Sequence, residues 1–354
     1  MKRIILICIV FLCFSTPVCA ASEDFSELEN SLPAAAEEIM GGFGVMDISA
    51  DGIIGAIWDY IRGHLKSELS AVLRPVAATV AAALLCSVGE SMQLKKEIDY
   101  VNLAGCLVIA AALIGDVNSV VVMGREAIGE IYDFSKVLLP TLCSAAAAAG
   151  AVGSAGAKYA ATALFLDILI SLTTRVLLPL VGVYMAASVA SAATGDGRLK
   201  GPVKLLKWLS KTAMTAMVTV FTFYIGFSGL AASGADAAAV KTARTLISSF
   251  VPVVGKMVAG ASESLAAGAG LIRGAVGVFG LGAVLALCAA PFLAIGLRYL
   301  LFKAAAAVAG LIAGERISAL VDSIATACGM VLGLVGTAAV FMFVSIVSLI
   351  RTVV

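Results

Sequence analysis

Apolar positions run along this chain in stretches about as long as a bilayer is thick. Pro75–Val88, Val101–Met123, Thr212–Ser233, Gly274–Leu297 and Ile324–Ile350 carry almost no charge. Crossing roughly 30 Å of hydrocarbon takes about 20 apolar residues at about 1.5 Å each, so the pattern predicts spanning helices. The expected fold class is all-α, a polytopic helical membrane protein.

The first twenty residues read as a cleaved signal peptide. Lys2 and Arg3 form a positive n-region and Ile4–Phe14 a short apolar core, and Val18-Cys19-Ala20 offers small residues for cleavage. The following stretch, Ala21–Tyr60, holds nine carboxylates and no Lys or Arg. A purely acidic stretch fits an exported region, because basic residues are retained inside. Phe25, Leu28, Leu32, Ile39 and Met40 predict a short amphipathic helix there, against a partner or on the membrane surface. The expected organisation is a signal peptide (1–20), an acidic extracytoplasmic segment (21–70) and a multi-pass domain (71–354).

Charge marks the topology. Lys95 and Lys96 close the first span on the inside, and Arg198, Lys200, Lys204, Lys207 and Lys211 form a second internal cluster. Gly124–Lys136 and Ala235–Arg244 are expected as external loops. The regions 137–194 and 246–313 must then each cross an odd number of times, although each is long enough for two crossings. One crossing plus a re-entrant segment satisfies that parity.

Prolines mark both regions alike. Pro140 and Pro179 are 39 residues apart, as are Pro252 and Pro291, and a shift of 112 superposes the pairs. The expectation is two parallel tandem units, 101–212 and 213–324, with a closing span at 324–350. Parallel repeats build transport folds, and irregular backbone at membrane depth is tolerated where it lines a cavity.

Composition narrows the chemistry. The chain is 61% hydrophobic and 13% charged, with a mean hydropathy of +1.06. Its 24 basic and 23 acidic side chains nearly cancel, which leaves no global field for nucleic acid. His64 is the sole histidine, and Gly255-Lys256 is followed by Met257 rather than Ser or Thr, so neither a histidine metal site nor a P-loop is expected. Cys86, Cys106, Cys143, Cys288 and Cys328 stand singly in apolar runs, as small packing residues do. No enzyme activity and no cofactor are expected.

Ionisable groups inside apolar runs are functional candidates, because a charge in hydrocarbon costs several kcal/mol. Asp116, Asp167, Arg175, Glu263 and Arg273 qualify. Asp167 and Arg175 are eight residues apart, about 80° off one face and about 12 Å along a helix, so they cannot pair on it. Together with Pro140, Pro179, Pro252 and Pro291, Asp116, Asp167 and Arg175 are the candidate intramembrane site. Gly270/Gly274, Gly310/Gly314 and Gly329/Gly333 have the spacing of close helix contacts. Lys200, Lys204, Lys207 and Lys211 share one face opposite Leu205, Trp208 and Leu209, the signature of a basic amphipathic helix on anionic lipid or a docking partner.

At Lys241-Thr-Ala-Arg244, followed by Phe250-Val-Pro-Val-Val-Gly-Lys256, the chain resembles the stage III sporulation protein AE family. The resemblance continues through Ser262, Leu271, Ala275-Val276-Gly277 and Cys288-Ala-Ala-Pro291. It implies a multi-pass protein of the mother-cell membrane around the engulfed forespore. It further implies partnership with the other stage III A-operon proteins and, indirectly, with forespore protein Q, in a channel or feeding tube between the two cells. No catalytic residue comes with the resemblance. The alternative is a secondary transporter or permease for a small solute, coupled through Asp116 and Asp167; either reading allows a homo-oligomer.

Overall fold

A computed structural model describes residues 28–45, 49–91, 100–148, 152–194, 199–250 and 254–350, with side chains 226–273 outside that description. The signal segment, and with it the expectation of cleavage, lies outside the described residues. Among those described the chain is helical, with no strand. The elements are α1 (Ala34–Met40), α2 (Ala50–Ser91), α3 (Tyr100–Ala148), α4 (Val152–Leu172), α5 (Leu178–Thr194), α6 (Lys200–Phe250), α7 (Val254–Ile312) and α8 (Gly314–Ile350). Among the described residues, five apolar stretches are long enough to cross a membrane: Asp51–Val88, Leu103–Ala148, Ala155–Thr194, Gly274–Ile312 and Gly314–Ile350. The chain is a multi-pass helical membrane protein.

The helices are longer than the apolar runs that announced them. The 49 residues of α3 make a rod of about 73 Å, more than twice a hydrocarbon core. Two expectations fail here. Gly124–Lys136 is not a loop but the middle of α3, and Ala235–Arg244 lies within α6. Charge alone does not end a helix: Arg, Glu and Lys are good helix formers, Ala the best, and Asp133 and Lys136 pair along the helix at 2.8 Å. Likewise α2 runs unbroken past residue 70, so no change of structure marks that expected boundary.

α7 and α8 form the central hairpin. Ala313 ends α7 with a bond to the Ala309 carbonyl, and Gly314 reverses the chain with φ +81, a conformation that glycine adopts without Cβ strain. Ser318 donates back to the Ala306 carbonyl at 2.8 Å, and Lys303 pairs with Asp322 across the hairpin. The other helices pack around this pair. Within the two spans that hold them, Gly274–Leu297 and Ile324–Ile350 also supply much of the bundle's own core, with Phe279, Ile295, Phe341 and Met342 buried. A helix that is apolar all round satisfies protein burial and lipid exposure alike.

Contacts fix which ends meet. Gly105 of α3 lies against Cys86 of α2 and close to Ile317 of α8, and Lys200 of α6 is 3.9 Å from Glu315. The end of α2 and the starts of α3, α6 and α8 thus share one end of the bundle. At the other end, Met40 and Ile53 meet Gly282, Leu138 meets Gly280, Ile350 meets Gly277, and Lys158 reaches Ser348.

Prolines are absorbed differently along the chain. Pro140 sits inside α3 and Pro291 inside α7, and each helix continues through its proline. Near Pro140, the Thr141 hydroxyl donates to the Val137 carbonyl at 2.8 Å, the kind of side-chain bond that re-satisfies backbone in such helices. Pro179 instead follows a five-residue π-turn, Thr173–Leu177. A proline cannot donate to the carbonyl four residues back and its ring crowds it, and a widened turn relieves both. Pro252 lies outside the described residues, so the 112-residue offset has no counterpart to set beside Pro140.

Candidate functional site

A cleft of about 200 Å³ is walled by α2, α3 and α7. Its floor is apolar, formed by Leu287, Ala290, Pro291 and Ala294, and Glu68, Glu126 and Glu130 stand around it. Glu126 and Glu130 lie four residues apart on α3, hence on one face. Among the described residues, Pro291 is the sequence-predicted site residue that lines the cleft.

His64 and Tyr60 occupy the α2 wall, stacked with ring centroids 4.2 Å apart. His64 Nδ1 is 3.1 Å from the Tyr60 carbonyl, which can only accept, so that nitrogen carries the proton. Its Nε2 is 3.6 Å from a Glu38 carboxylate oxygen, which ties α1 to α2. His64, partly exposed, thus has a partner across the contact of α1 with α2. Among the described residues no group of three His, Cys, Asp or Glu side chains is arranged to hold a metal ion.

Arg298 of α7 bridges elements. It is largely buried, donates to Glu68 at 3.5 Å and to the Ala294 carbonyl at 3.0 Å, and lies within electrostatic reach of Asp116. Sequence reading did not single it out, because Gly274–Leu297 was taken to end just before it.

The other candidates are dispersed. Asp116 is half-buried on α3. Asp167, exposed on α4, accepts a 3.4 Å hydrogen bond from the Tyr132 hydroxyl of α3. Tyr132 follows Asp116 by sixteen residues, about 24 Å along α3, so the two carboxylates belong to different levels of the bundle. Arg175 is exposed within the π-turn, where the buried Thr173 hydroxyl has no hydrogen-bond partner among the described residues. Side chains of Glu263 and Arg273 lie outside the described residues.

Lys200, Lys204, Lys207 and Lys211 are exposed on the first turns of α6, beside exposed Leu205, Trp208 and Leu209. They do not form a separate surface helix, because α6 continues from them into the bundle. Of the glycine pairs, Gly329 lies against Tyr299 and Gly333 against Met214, so each accommodates a large side chain from a neighbouring helix. One further residue went unnoticed in sequence: Lys158, buried on α4, whose Nζ donates to the Ser348 carbonyl at 2.8 Å.

The profile of stage III sporulation protein AE matches residues 36–352. Stage III sporulation protein AE of Bacillus subtilis (strain 168) is 22% identical over 199 residues, covering 56% of this chain and 50% of that protein. The aligned stretch thus spans about half the length of the curated relative. No solved structure matches the chain.

Proposed function

Because the chain belongs to the stage III sporulation protein AE family and acts in sporulation, we propose that it is a membrane subunit of the mother cell-to-forespore channel or feeding-tube complex. Its role in this reading is structural rather than catalytic, and its partners are membrane lipid, the other stage III A-operon proteins and, indirectly, forespore protein Q. The observation that carries the reading is the family match over nearly the whole multi-pass bundle.

Orientation follows from charge. The end with Lys200, Lys204, Lys207, Lys211 and Arg316 is the cytoplasmic one, and the α1 end, with Glu37, Glu38 and Asp51, faces the space between the two membranes. The location that goes with the proposed complex is the mother-cell membrane around the forespore. The transporter alternative is less favoured, because its two coupling carboxylates sit about 24 Å apart along the bundle rather than in one cavity.

The test is genetic and biochemical together. Deleting the gene in its host should arrest forespore development after engulfment, and the tagged protein should co-purify with other A-operon products from sporulating cells. A null strain that completes development, or a tagged functional protein that brings down none of those products, overturns the proposal.

A further inference from the structure

Exposed charge and exposed apolar surface cross over along this bundle. Two levels show it. At the level of Ile317, where Cys86 meets Gly105, α2 and α3 expose Leu85 (74%) and Val108 (60%). Near the same end, anchored by the Lys200–Glu315 pair, α6 exposes the charges of Lys204 and Lys207, beside Leu205, Trp208 and Leu209.

The second level is that of Phe341, about 36 Å further along α8. Phe221 of α6 stacks on Phe341 with centroids 4.2 Å apart, and Phe165 of α4 meets Phe221 at 5.4 Å. Tyr132 of α3 joins this level through its bond to Asp167. Here α6 exposes Phe223 (75%), whereas α3 exposes Asp133 and Lys136. The pattern has reversed.

A hydrocarbon slab perpendicular to the bundle fits neither level, nor the space between them: Gly124 lies against Val331 and Met214 against Gly333, so exposed Arg125 of α3 and exposed Lys211 of α6 stand within about 6 Å of one another along the axis. Placed at the first, it immerses Lys204 and Lys207; placed at the second, it immerses Asp133 and Lys136, each immersion costing several kcal/mol per charge. α2 and α3 pack on each other and on the α7–α8 hairpin, whereas α6 packs on α8, α4 and α5, so the two sets of charges stand on different faces and a slab inclined to the bundle clears both.

We infer that lipid contacts this protein along a diagonal belt. The belt covers α2 and α3 around Leu85 and Val108, and covers α6 around Phe223. The α2–α3 surface bearing Arg62, Glu126, Asp133 and Lys136 stands in water on one side of the belt, and Lys204 and Lys207 stand in water on the other. The bundle is inclined in the membrane, and the cleft beside Glu126 and Glu130 opens to the aqueous phase.

The experiment uses the full-length protein in phosphatidylcholine vesicles, on a cysteine-free background, with single cysteines at 108, 133, 207 and 223. Each carries a bimane label for quenching by brominated phosphatidylcholine, and is tested separately for reaction with a membrane-impermeant maleimide added to both sides. The expected result is lipid quenching at Val108→Cys and Phe223→Cys, with maleimide reaction at Asp133→Cys and Lys207→Cys. Lipid quenching at only one of positions 108 and 223 returns a flat slab and overturns the inference. So does lipid quenching at 133 or 207. Variants that co-elute with the parent on size exclusion exclude misfolding as the cause of any result.

Discussion

Lys158 donates its ammonium to the carbonyl of Ser348 at 2.8 Å, bringing the first turns of α4 to the last turn of α8, 190 residues away. The last turn of a helix carries the negative end of its dipole. A buried cation there is solvated by the carbonyl that it meets. Lys158→Glu reverses the charge at that point. Its thermal midpoint in detergent should fall, corresponding to roughly 2–4 kcal/mol, whereas Lys158→Arg should stay close to the parent. Equal midpoints for the Glu and Arg variants would refute the capping role.

The α7–α8 turn rests on one residue. At φ +81, Gly314 lies where a side chain costs about 1–2 kcal/mol and a β-branched one more. Gly314→Val should lower the midpoint clearly, and Gly314→Asn by less, because asparagine tolerates the left-handed region. The ranking of the two variants is the check.

The Lys303–Asp322 pair closes the same hairpin, with both side chains partly exposed. Removing either charge should cost about 1 kcal/mol or less. The double exchange Lys303→Asp with Asp322→Lys should recover most of the loss of the single reversals. A double-mutant cycle with no coupling would show that the pair contributes nothing to hairpin stability.

Close packing at Gly280 is sensitive to size. A Cβ there would sit 2.7 Å from Leu138, which is fully buried in α3. Gly280→Leu should force α3 and α7 apart and cost about 1–3 kcal/mol, visible as a lower midpoint or lost expression. Gly274→Leu, in open space, should be tolerated.

Neutralising Asp116 and Asp167 separates the two functional readings. Asp116→Asn and Asp167→Asn should leave spore yield unchanged in a structural subunit. Loss of spores with normal protein level and normal partner recovery would favour ion-coupled transport instead.

The amino-acid sequence by itself determined the helical membrane class. Spans are signalled by uninterrupted apolar runs such as Gly274–Leu297, and the basic end by Lys200–Lys211, because hydrocarbon excludes charge whatever the tertiary arrangement. Residues 250–256 and 288–291 likewise carried the family without any fold. Tertiary structure alone decided the rest. Gly124–Lys136 reads as a loop because its charges break an apolar pattern, yet their side chains leave the surface of an intact helix. Ile324–Ile350 reads as lipid-facing although packing buries much of it, because apolarity does not distinguish a protein neighbour from a lipid one. The partners of Lys158, Arg298 and Gly280 lie 190, 230 and 142 residues away along the chain. Periodicity reports only on neighbours within a helix, so contacts of that range exist only once the helices have chosen which faces to bury.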